Sequence, residues 1–381
     1  MSVVHVPDGD AFSPATEQDT LQPAPPGRAG TGRSRTRLLV AATAAWTVFV
    51  VLHILLTDRW WPWLVVEATP PLALVAVPLL LLVLVPLAAP VRRRLTAVLV
   101  LLLLTGVHLA GYGPGWTGDA NRPRGTAVKV FAWNTNFWQM SDDKDAFYAF
   151  LRRQDADVYL LQEYLYWQGD QPIRIDDSAR LRAEFPGYRL LVQGELITLS
   201  RLPVVATPDQ QVPSTGTDWF WRGAKAQRTD IRVGGRTVSF YNVHLPVPFR
   251  FEGSPLRGRF YRLLREQDTW RLGELRKLRA ELTADPYPAV VAGDFNSPWM
   301  ELSPLGAGTQ VHSPPVSVLP ARSWPASAEF PLPRLWRLDW LYTTGDLAVA
   351  SYRFGTAQAF SDHATQEIRV VVPDEAPSAH R

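Results

Sequence analysis

The sequence predicts an α/β domain of two packed β-sheets with helices outside, preceded by three transmembrane α-helices. Three observations carry that expectation. Apolar blocks free of Asp, Glu, Lys and Arg occupy Leu38–Leu56, Pro70–Ala89 and Leu95–Gly111. Beyond them, short β-branched or aromatic runs are punctuated by Gly, Pro or Asp, the pattern of strands. Only two stretches show helical periodicity, so many strands with few helices fit two stacked sheets better than a βαβ repeat.

Residues 1–36 are rich in Pro, Gly, Ser and Thr and lack periodic apolar residues, which reads as a disordered cytoplasmic tail. A cleaved signal peptide is the alternative, but its apolar core would start nearer Met1 and be shorter. Each apolar block is about 17–25 residues long, enough for one helix to cross a hydrocarbon core. Together they define a membrane region over residues 37–112. Buried helices of a soluble core would show amphipathic faces or shorter runs. His53 and His108 fall inside spans and read as packing or interfacial residues.

Loop charges give the orientation. The tail ends in Arg33, Arg35 and Arg37, and the second connection carries Arg92, Arg93 and Arg94. The first connection offers Arg59 against Asp58 and Glu67. Positively charged loops stay cytoplasmic, which puts the tail inside and everything after the third span in the extracytoplasmic space, at a cell membrane. Trp60, Trp61 and Trp63 suit an aromatic belt at the headgroup level. The chain has no cysteine, so disulfides, thiolate metal sites and a cysteine nucleophile are excluded. A net charge of +3 over 381 residues is a mild basic bias, compatible with anionic lipid or phosphate substrates.

A linker over residues 113–126 leads to a soluble domain at 127–373, with a short tail at 374–381. Strands are expected at Val128–Trp133, Val158–Gln162, Tyr188–Gln193, Leu196–Ser200, Gln227–Val233, Thr237–His244, Ala289–Ala292, Leu338–Thr343, Val349–Phe354 and Glu367–Val372. Val233-Gly-Gly-Arg-Thr237 is a hairpin signal. Helices are expected at Asp143–Arg153 and Leu256–Leu282.

Polar residues recur where these strands end. Asn134 follows the first strand, Glu163 the second, His244 closes the sixth, and Asp294 and Asn296 follow the seventh within Gly293-Asp-Phe-Asn296. Asp339 opens a later strand, and Asp362-His363 precedes the last one. Strand ends carrying Asp, Asn and His on short loops are how a metal-assisted phosphoester hydrolase is assembled. Glu163 sits where a buried strand would otherwise continue apolar, and an unpaired carboxylate there is costly. A hard cation such as Mg²⁺ is its natural partner. Singly, each residue has a plainer role: Asn134 or Asp362 in a turn, Glu163 in a salt bridge, His244 in the core, Asp339 paired with Arg337. Jointly and in this order those plain readings do not hold.

These motifs resemble a known family. Trp133-Asn134, Leu161-Gln-Glu163, Leu199-Ser-Arg-Leu-Pro203, Asn242-Val-His-Leu245, Gly293-Asp-Phe-Asn296, Leu338-Asp-Trp-Leu341 and Ser361-Asp-His363 are similar, in order, to the signatures of the endonuclease/exonuclease/phosphatase superfamily. That family includes DNase I-like nucleases, sphingomyelinases and inositol-phosphate 5-phosphatases. The resemblance spans about residues 127–372 and implies a four-layer α/β/β/α sandwich with its site at one edge. By architecture, three spans before such a domain also resemble the VanJ-type membrane proteins linked to teicoplanin resistance.

The resemblance implies roles. Glu163 would be the main Mg²⁺ ligand (Mn²⁺ or Ca²⁺ being other candidates), with Asn134 and Asp362 nearby. Asp339 would orient His363 and favour its imidazolium, leaving His363 to bind the scissile phosphate. Asp294, held by Asn296, would activate water or manage the leaving-group proton. His244 and Asn296 would donate hydrogen bonds to phosphoryl oxygens. Two departures stand out: Ala-Thr-Gln after His363, and Glu195-Leu-Ile-Thr where small residues usually precede Ser-Arg.

Substrate class is less determined. The insert Pro246–Arg265 interleaves Phe249, Phe251, Phe260 and Tyr261 with five arginines, and Trp219-Phe-Trp-Arg222 is a second aromatic-basic segment. Such interleaving suits nucleic acid or anionic headgroups, or is a solvated helix face. The expected partners are therefore the lipid bilayer and a phosphorylated lipid, a polyprenyl pyrophosphate of the cell-wall type being what the second resemblance implies. A cell-surface nuclease and a non-catalytic binding domain are the alternatives.

Overall fold

The structure, a computed structural model, describes residues 29–111, 124–138, 143–208, 216–248, 256–315, 321–326, 333–356 and 359–374. Most of the expected tail, most of the linker, the insert's residues 249–255 and nearly all of the C-terminal tail lie outside the described residues.

The apolar region comprises α1 (Ala29–Leu56), a 3-10 turn (Trp61–Trp63), α2 (Leu64–Glu67), α3 (Ala73–Leu84), a 3-10 segment (Val85–Val91) and α4 (Arg92–Leu109). Two stretches are long and apolar enough to cross a membrane, Arg33–Leu56 and Ala73–Leu109, where three separate spans were expected. The second and third blocks run on as one helical stretch through the 3-10 segment. Pro86 and Pro90 lie there, and Ala88 leaves helical geometry (φ −114°, ψ 48°). Proline removes an amide donor and clashes with the preceding turn, so the stretch bends instead of extending. Its arms α3 and α4 pack on each other and share a core with α1 through Leu39, Val50, Leu74, Leu81 and Leu99. Gly106 permits this approach, since a Cβ there would lie 2.1 Å from the Leu74 carbonyl oxygen. The start of α1 also corrects the expected tail boundary: Arg33, Arg35 and Arg37 stand on its first turns.

The soluble region runs β1 (Thr126–Asn134), α5 (Lys144–Arg153), β2 (Val158–Gln162), β3 (Leu165–Gln168), β4 (Gln171–Arg174), α6 (Ser178–Glu184), β5 (Arg189–Gln193), β6 (Leu196–Ser200) and β7 (Val204–Ala206). It continues with α7 (Asp218–Trp221), β8 (Ala226–Val233), β9 (Arg236–His244), α8 (Gly258–Ala284), β10 (Ala289–Asp294), β11 (Thr309–His312), β12 (Asp339–Thr344), β13 (Ala348–Phe354) and β14 (Gln366–Val372). One six-stranded sheet has the order β13-β14-β1-β2-β6-β5 and the other β11-β12-β10-β9-β8-β7. All ten expected strands are present. The β8–β9 turn is the expected hairpin, with Gly234 and Gly235 both at positive φ.

Side-chain alternation builds four layers. Val128, Val130 and Ala132 of β1 meet Phe240, Val290 and Ala292 of the other sheet in the central layer. The intervening Phe131 and Trp133 turn outward onto Phe147 and Phe150 of α5. On the opposite side Tyr241, Val243 and Val291 cover Leu275, Leu278 and Leu282 of α8. Asp143 caps α5 by accepting from the Ala146 amide at 2.9 Å.

The domain is seated on the connection between α1 and α3. Trp299 Nε1 donates to the Glu67 carbonyl (2.8 Å) and Trp336 Nε1 to the Ala68 carbonyl (3.0 Å). Arg271 of α8, fully buried, pairs with Asp58, and the His53 ring meets the Trp299 ring edge-on at 4.2 Å. Trp63, expected in an interfacial belt, donates its indole N–H to His53 Nδ1.

Candidate active site

Register brings the polar strand ends together. In the second sheet Asp294 is paired with His244 on one side and Asp339 on the other, so β9, β10 and β12 deliver three reactive side chains in one row. In the first sheet Asn134 pairs with Gln162, which places Glu163 just beyond the same edge. Strand β14 pairs with β1 as far as Gln366↔Ala132, leaving His363 in the turn that precedes it. Ser361 ties this turn down: its hydroxyl donates to the Asn134 carbonyl (2.7 Å) and accepts from the His363 amide (2.9 Å).

Beneath the row, Gln162 Nε2 donates to Asn242 Oδ1 (2.6 Å), and Asn242 Nδ2 donates to the Leu161 and Ile197 carbonyls. Both side chains are fully buried, so this amide pair locks one sheet to the other. Gly293 permits a close strand approach. Its φ is +145°, and a Cβ there would sit 2.0 Å from the Val243 carbonyl oxygen. Glu163 and Asn296 adopt φ of +63° and +49°, the left-handed strain that concentrates at functional loops.

The Asn134 amide donates to Glu163 Oε1 (3.0 Å) and to Asp294 Oδ2 (3.1 Å), linking the two carboxylates. Glu163 Oε2 accepts from the Phe137 amide. Asp294 Oδ1 accepts from the Asn296 amide (2.8 Å), while the Asn296 side chain donates to the Leu245 carbonyl. Asn296 thus holds Asp294 through its backbone. His363 Nδ1 lies 3.0 Å from Asp339 Oδ2, the expected pairing. Arg337 does not take the Asp339 carboxylate; its guanidinium donates to the His312 carbonyl and the Ser313 hydroxyl.

A second carboxylate–imidazole pair stands opposite. His244 Nδ1 lies 3.2 Å from Glu195 Oε2, off the hydrogen-bond line, and Glu195 is ion-paired with buried Lys225. Both rings present Nε2 to Asp294 Oδ2, at 3.6 Å for His363 and 3.7 Å for His244.

Burial pushes the Glu163 and Asp294 carboxyls above their usual range, and the facing histidines offset part of it. Burial pulls the His363 imidazole down, but Asp339 and then Asp294 raise it well above its ordinary value. His244 is also raised, with Glu195 overcoming burial. Burial would raise Glu195, yet the Lys225 and His244 charges bring it to about 2.

The donor chemistry fits a hard divalent cation. Glu163 and Asp294 converge as carboxylate oxygen donors joined by the Asn134 side-chain N–H group, and buried Asp339 Oδ1 has no hydrogen-bond partner. Asp294, Asp339 and His363 also offer ligand atoms within 4.8 Å of one another. Because His363 Nδ1 already engages Asp339, we read that trio as a dyad facing a carboxylate, with Glu163 as the metal side. Asn134, expected beside the metal, turns its N–H group to Glu163 and Asp294 and its Oδ1 to the Asn136 amide. Asp362, expected near the metal, instead accepts from Trp324 Nε1 at 2.8 Å and adds to the charge that sustains His363.

Glu195, Lys225, Ser361, Gln162 and Asn242 were not assigned roles from sequence. The signal for the first two was available: each charge abuts a buried strand, as Glu163 does.

The family profile described as "Endonuclease/Exonuclease/phosphatase family" matches residues 131–363. Among solved structures, humanized D. rerio TDP2 is 14% identical, with a TM-score of 0.45 over 65% of this chain and 99% of its own. An endonuclease/exonuclease/phosphatase from Beutenbergia cavernae is 17% identical, with a TM-score of 0.44 over 65% and 72%. The mannosyl-6-phosphatase of Bacteroides thetaiotaomicron is 13% identical, with a TM-score of 0.42 over 64% and 100%. At this level of likeness they say nothing about substrate. Nothing among curated protein sequences matches.

Proposed function

The chain belongs to the endonuclease/exonuclease/phosphatase family, and we propose that it is a membrane-held, divalent-metal-dependent phosphohydrolase acting on a lipid-linked phosphate or pyrophosphate at the outer membrane face. The observation that carries this reading is the pair of carboxylate–imidazole units, Asp339–His363 and Glu195–His244, aimed at Asp294 beside Glu163. Glu163 would hold the cation, Mg²⁺ being the first candidate, with Asn134 bridging Glu163 to Asp294. When bound, it supplies Lewis-acid neutralisation of phosphoryl charge.

The chain's own groups do the rest. Asp294, kept in place by the Asn296 amide and raised by burial, is suited to take a proton from the attacking water. His363, kept cationic by Asp339, donates from Nε2 to a phosphoryl oxygen as charge accumulates in the transition state. His244 donates from the opposite side.

The seating of the domain on residues 58–68 supports a substrate held in the same bilayer. Leu38, Leu80, Val83, Leu101 and Leu104 are exposed around the helices, which supports lipid contact there. With α1, the arm running from α3 through the 3-10 segment (Ala73–Val91) and α4 each crossing, the arginine-rich connections would lie on the cytoplasmic side and the domain outside. The architectural likeness to VanJ-type proteins favours a polyprenyl pyrophosphate.

Phosphate release from a polyprenyl pyrophosphate by the full-length protein in detergent tests this. Release with Mg²⁺, its loss in EDTA, and a fall of about 100-fold or more in Glu163→Gln are expected. Nicking of supercoiled DNA without phosphate release would replace this reading with a surface nuclease.

A further inference from the structure

A cleft of about 150 Å³ opens beside the reactive row, lined by Glu163 and His244 of that row together with the rings of Trp167, Phe220, Trp221 and Trp270. We propose that this cleft holds the hydrocarbon of the substrate, with the first branched isoprenoid unit beyond the phosphate lying among those four rings. For the bond that is broken, the inference rests on the function proposed above; for what binds, it stands by itself.

Position comes first. Glu163 and His244 line both the cleft and the reactive centre, so a phosphate at the centre directs its nearest organic atoms into the cleft. An apolar cavity of roughly this volume takes a benzene-sized group, about the size of one isoprenoid unit.

The walls favour a chain over a base. Trp167 meets Phe220 at 83° and Trp221 at 63°, Phe220 meets Trp221 at 86°, and Trp221 meets Trp270 at 58°. None of these four contacting pairs is parallel, and a wall that alternates ring edges with ring faces suits methyl and methylene groups, which pack against both. The cation on this wall, Lys225, has its ammonium 3.9 Å from the Phe220 ring centroid and is neutralised by Glu195. It is buried and committed, so it offers a nucleic-acid backbone nothing to grip.

The address of the cleft agrees. Trp270 precedes Arg271, whose guanidinium binds Asp58 in the connection leaving α1. One wall is therefore one residue from the contact that seats the domain on its apolar helices. Val247, also on the lining, is 40% exposed and makes the mouth apolar, so a longer chain can continue outward. Esters of prenyl or alkyl alcohols should consequently be preferred to phosphates carried on glycerol, sugar or nucleoside.

Two measurements on the full-length protein in lipid nanodiscs decide it. A non-hydrolysable prenyl phosphonate bearing a diazirine, photolysed on the wild-type protein, should mark residues 167, 220–221 or 270, with unlabelled prenyl phosphonate protecting them. Marking confined to α1, α3 and α4, or protection by an oligonucleotide instead, overturns the proposal. In parallel, isopentenyl diphosphate should exceed methyl diphosphate in kcat/KM by tenfold or more. That ratio should collapse at least tenfold in Trp221→Ala/Trp270→Ala and recover in Trp221→Phe/Trp270→Phe. An unmoved ratio also overturns it. Marking of the cleft in a protein that releases phosphate from neither diphosphate would sustain the binding site and remove the hydrolase reading.

Discussion

Replacing Asp339 by Asn isolates the electrostatic part of the site from its geometry. Asp339 is fully buried and its Oδ2 lies 3.0 Å from His363 Nδ1, so Asn can accept the same hydrogen bond without the charge. A hydrogen bond to a charged group contributes about 1.5–3 kcal/mol. At about 1.36 kcal/mol per pKa unit, losing the charged component lowers the His363 pKa by roughly one to two units. The sign follows from the direction of the native shift. His363 is raised well above its ordinary value, so its imidazolium is present below that raised value and is lost as pH climbs through it. Asp339→Asn moves this loss to lower pH. The alkaline limb of kcat/KM should therefore shift down by about one to two units, costing roughly 10- to 100-fold on the alkaline side. The assay is the pH dependence of kcat/KM for phosphate release from isopentenyl diphosphate with the full-length protein and saturating Mg²⁺. A uniform drop at all pH, with the alkaline limb unmoved, would refute the reasoning and leave Asp339 a purely orienting group.

Three further outcomes are expected. Gly293→Ala puts a Cβ onto the Val243 carbonyl at unfavourable φ, so thermal stability should fall by more than about 3 kcal/mol; a melting temperature within experimental error of wild type would contradict the strand contact. Arg271→Ala leaves Asp58 and Glu67 buried without their cation and should cost about 3–5 kcal/mol, read as faster hydrogen exchange in Asp58–Glu67 and α8. Burial, with Asp58 adding to it, raises Glu67 to about 7. Its protonated form is favoured in the folded state, so this contribution is complete below the ordinary carboxylate range and lost as pH rises through about 7. Protection of the loop amides, corrected for intrinsic base-catalysed exchange, should then fall between about pH 4.5 and 7 in wild type and stay flat in Glu67→Gln.

Strand positions were legible because the central strands are buried on both faces and read as unbroken apolar runs, as in Val158–Gln162 and Leu196–Ser200. The edge strands β3, β4, β7 and β11 were not, being short and partly exposed and so lacking the run. The apolar blocks were visible, yet their joining into two helical stretches was not. Hydropathy registers that a segment is apolar, while Pro86, Ala88 and Pro90 determine how the chain turns within it.

The site divides along the same line. Sequence alone determined which groups stand at the strand ends, because a carboxylate or imidazole abutting a buried run is a local conflict that only function or pairing relieves. It determined Asn134, Glu163, His244, Asp294, Asp339 and His363 in that way. Tertiary structure decided the partnerships. Glu195 meets Lys225 and His244 across separate strands, Asp362 is drawn to Trp324 despite sitting beside His363, and the cleft walls come from β3, α7 and α8. Strand register and sheet packing set these contacts, and both depend on residues far apart in the chain, whereas polarity at a strand end is a property of a few neighbours.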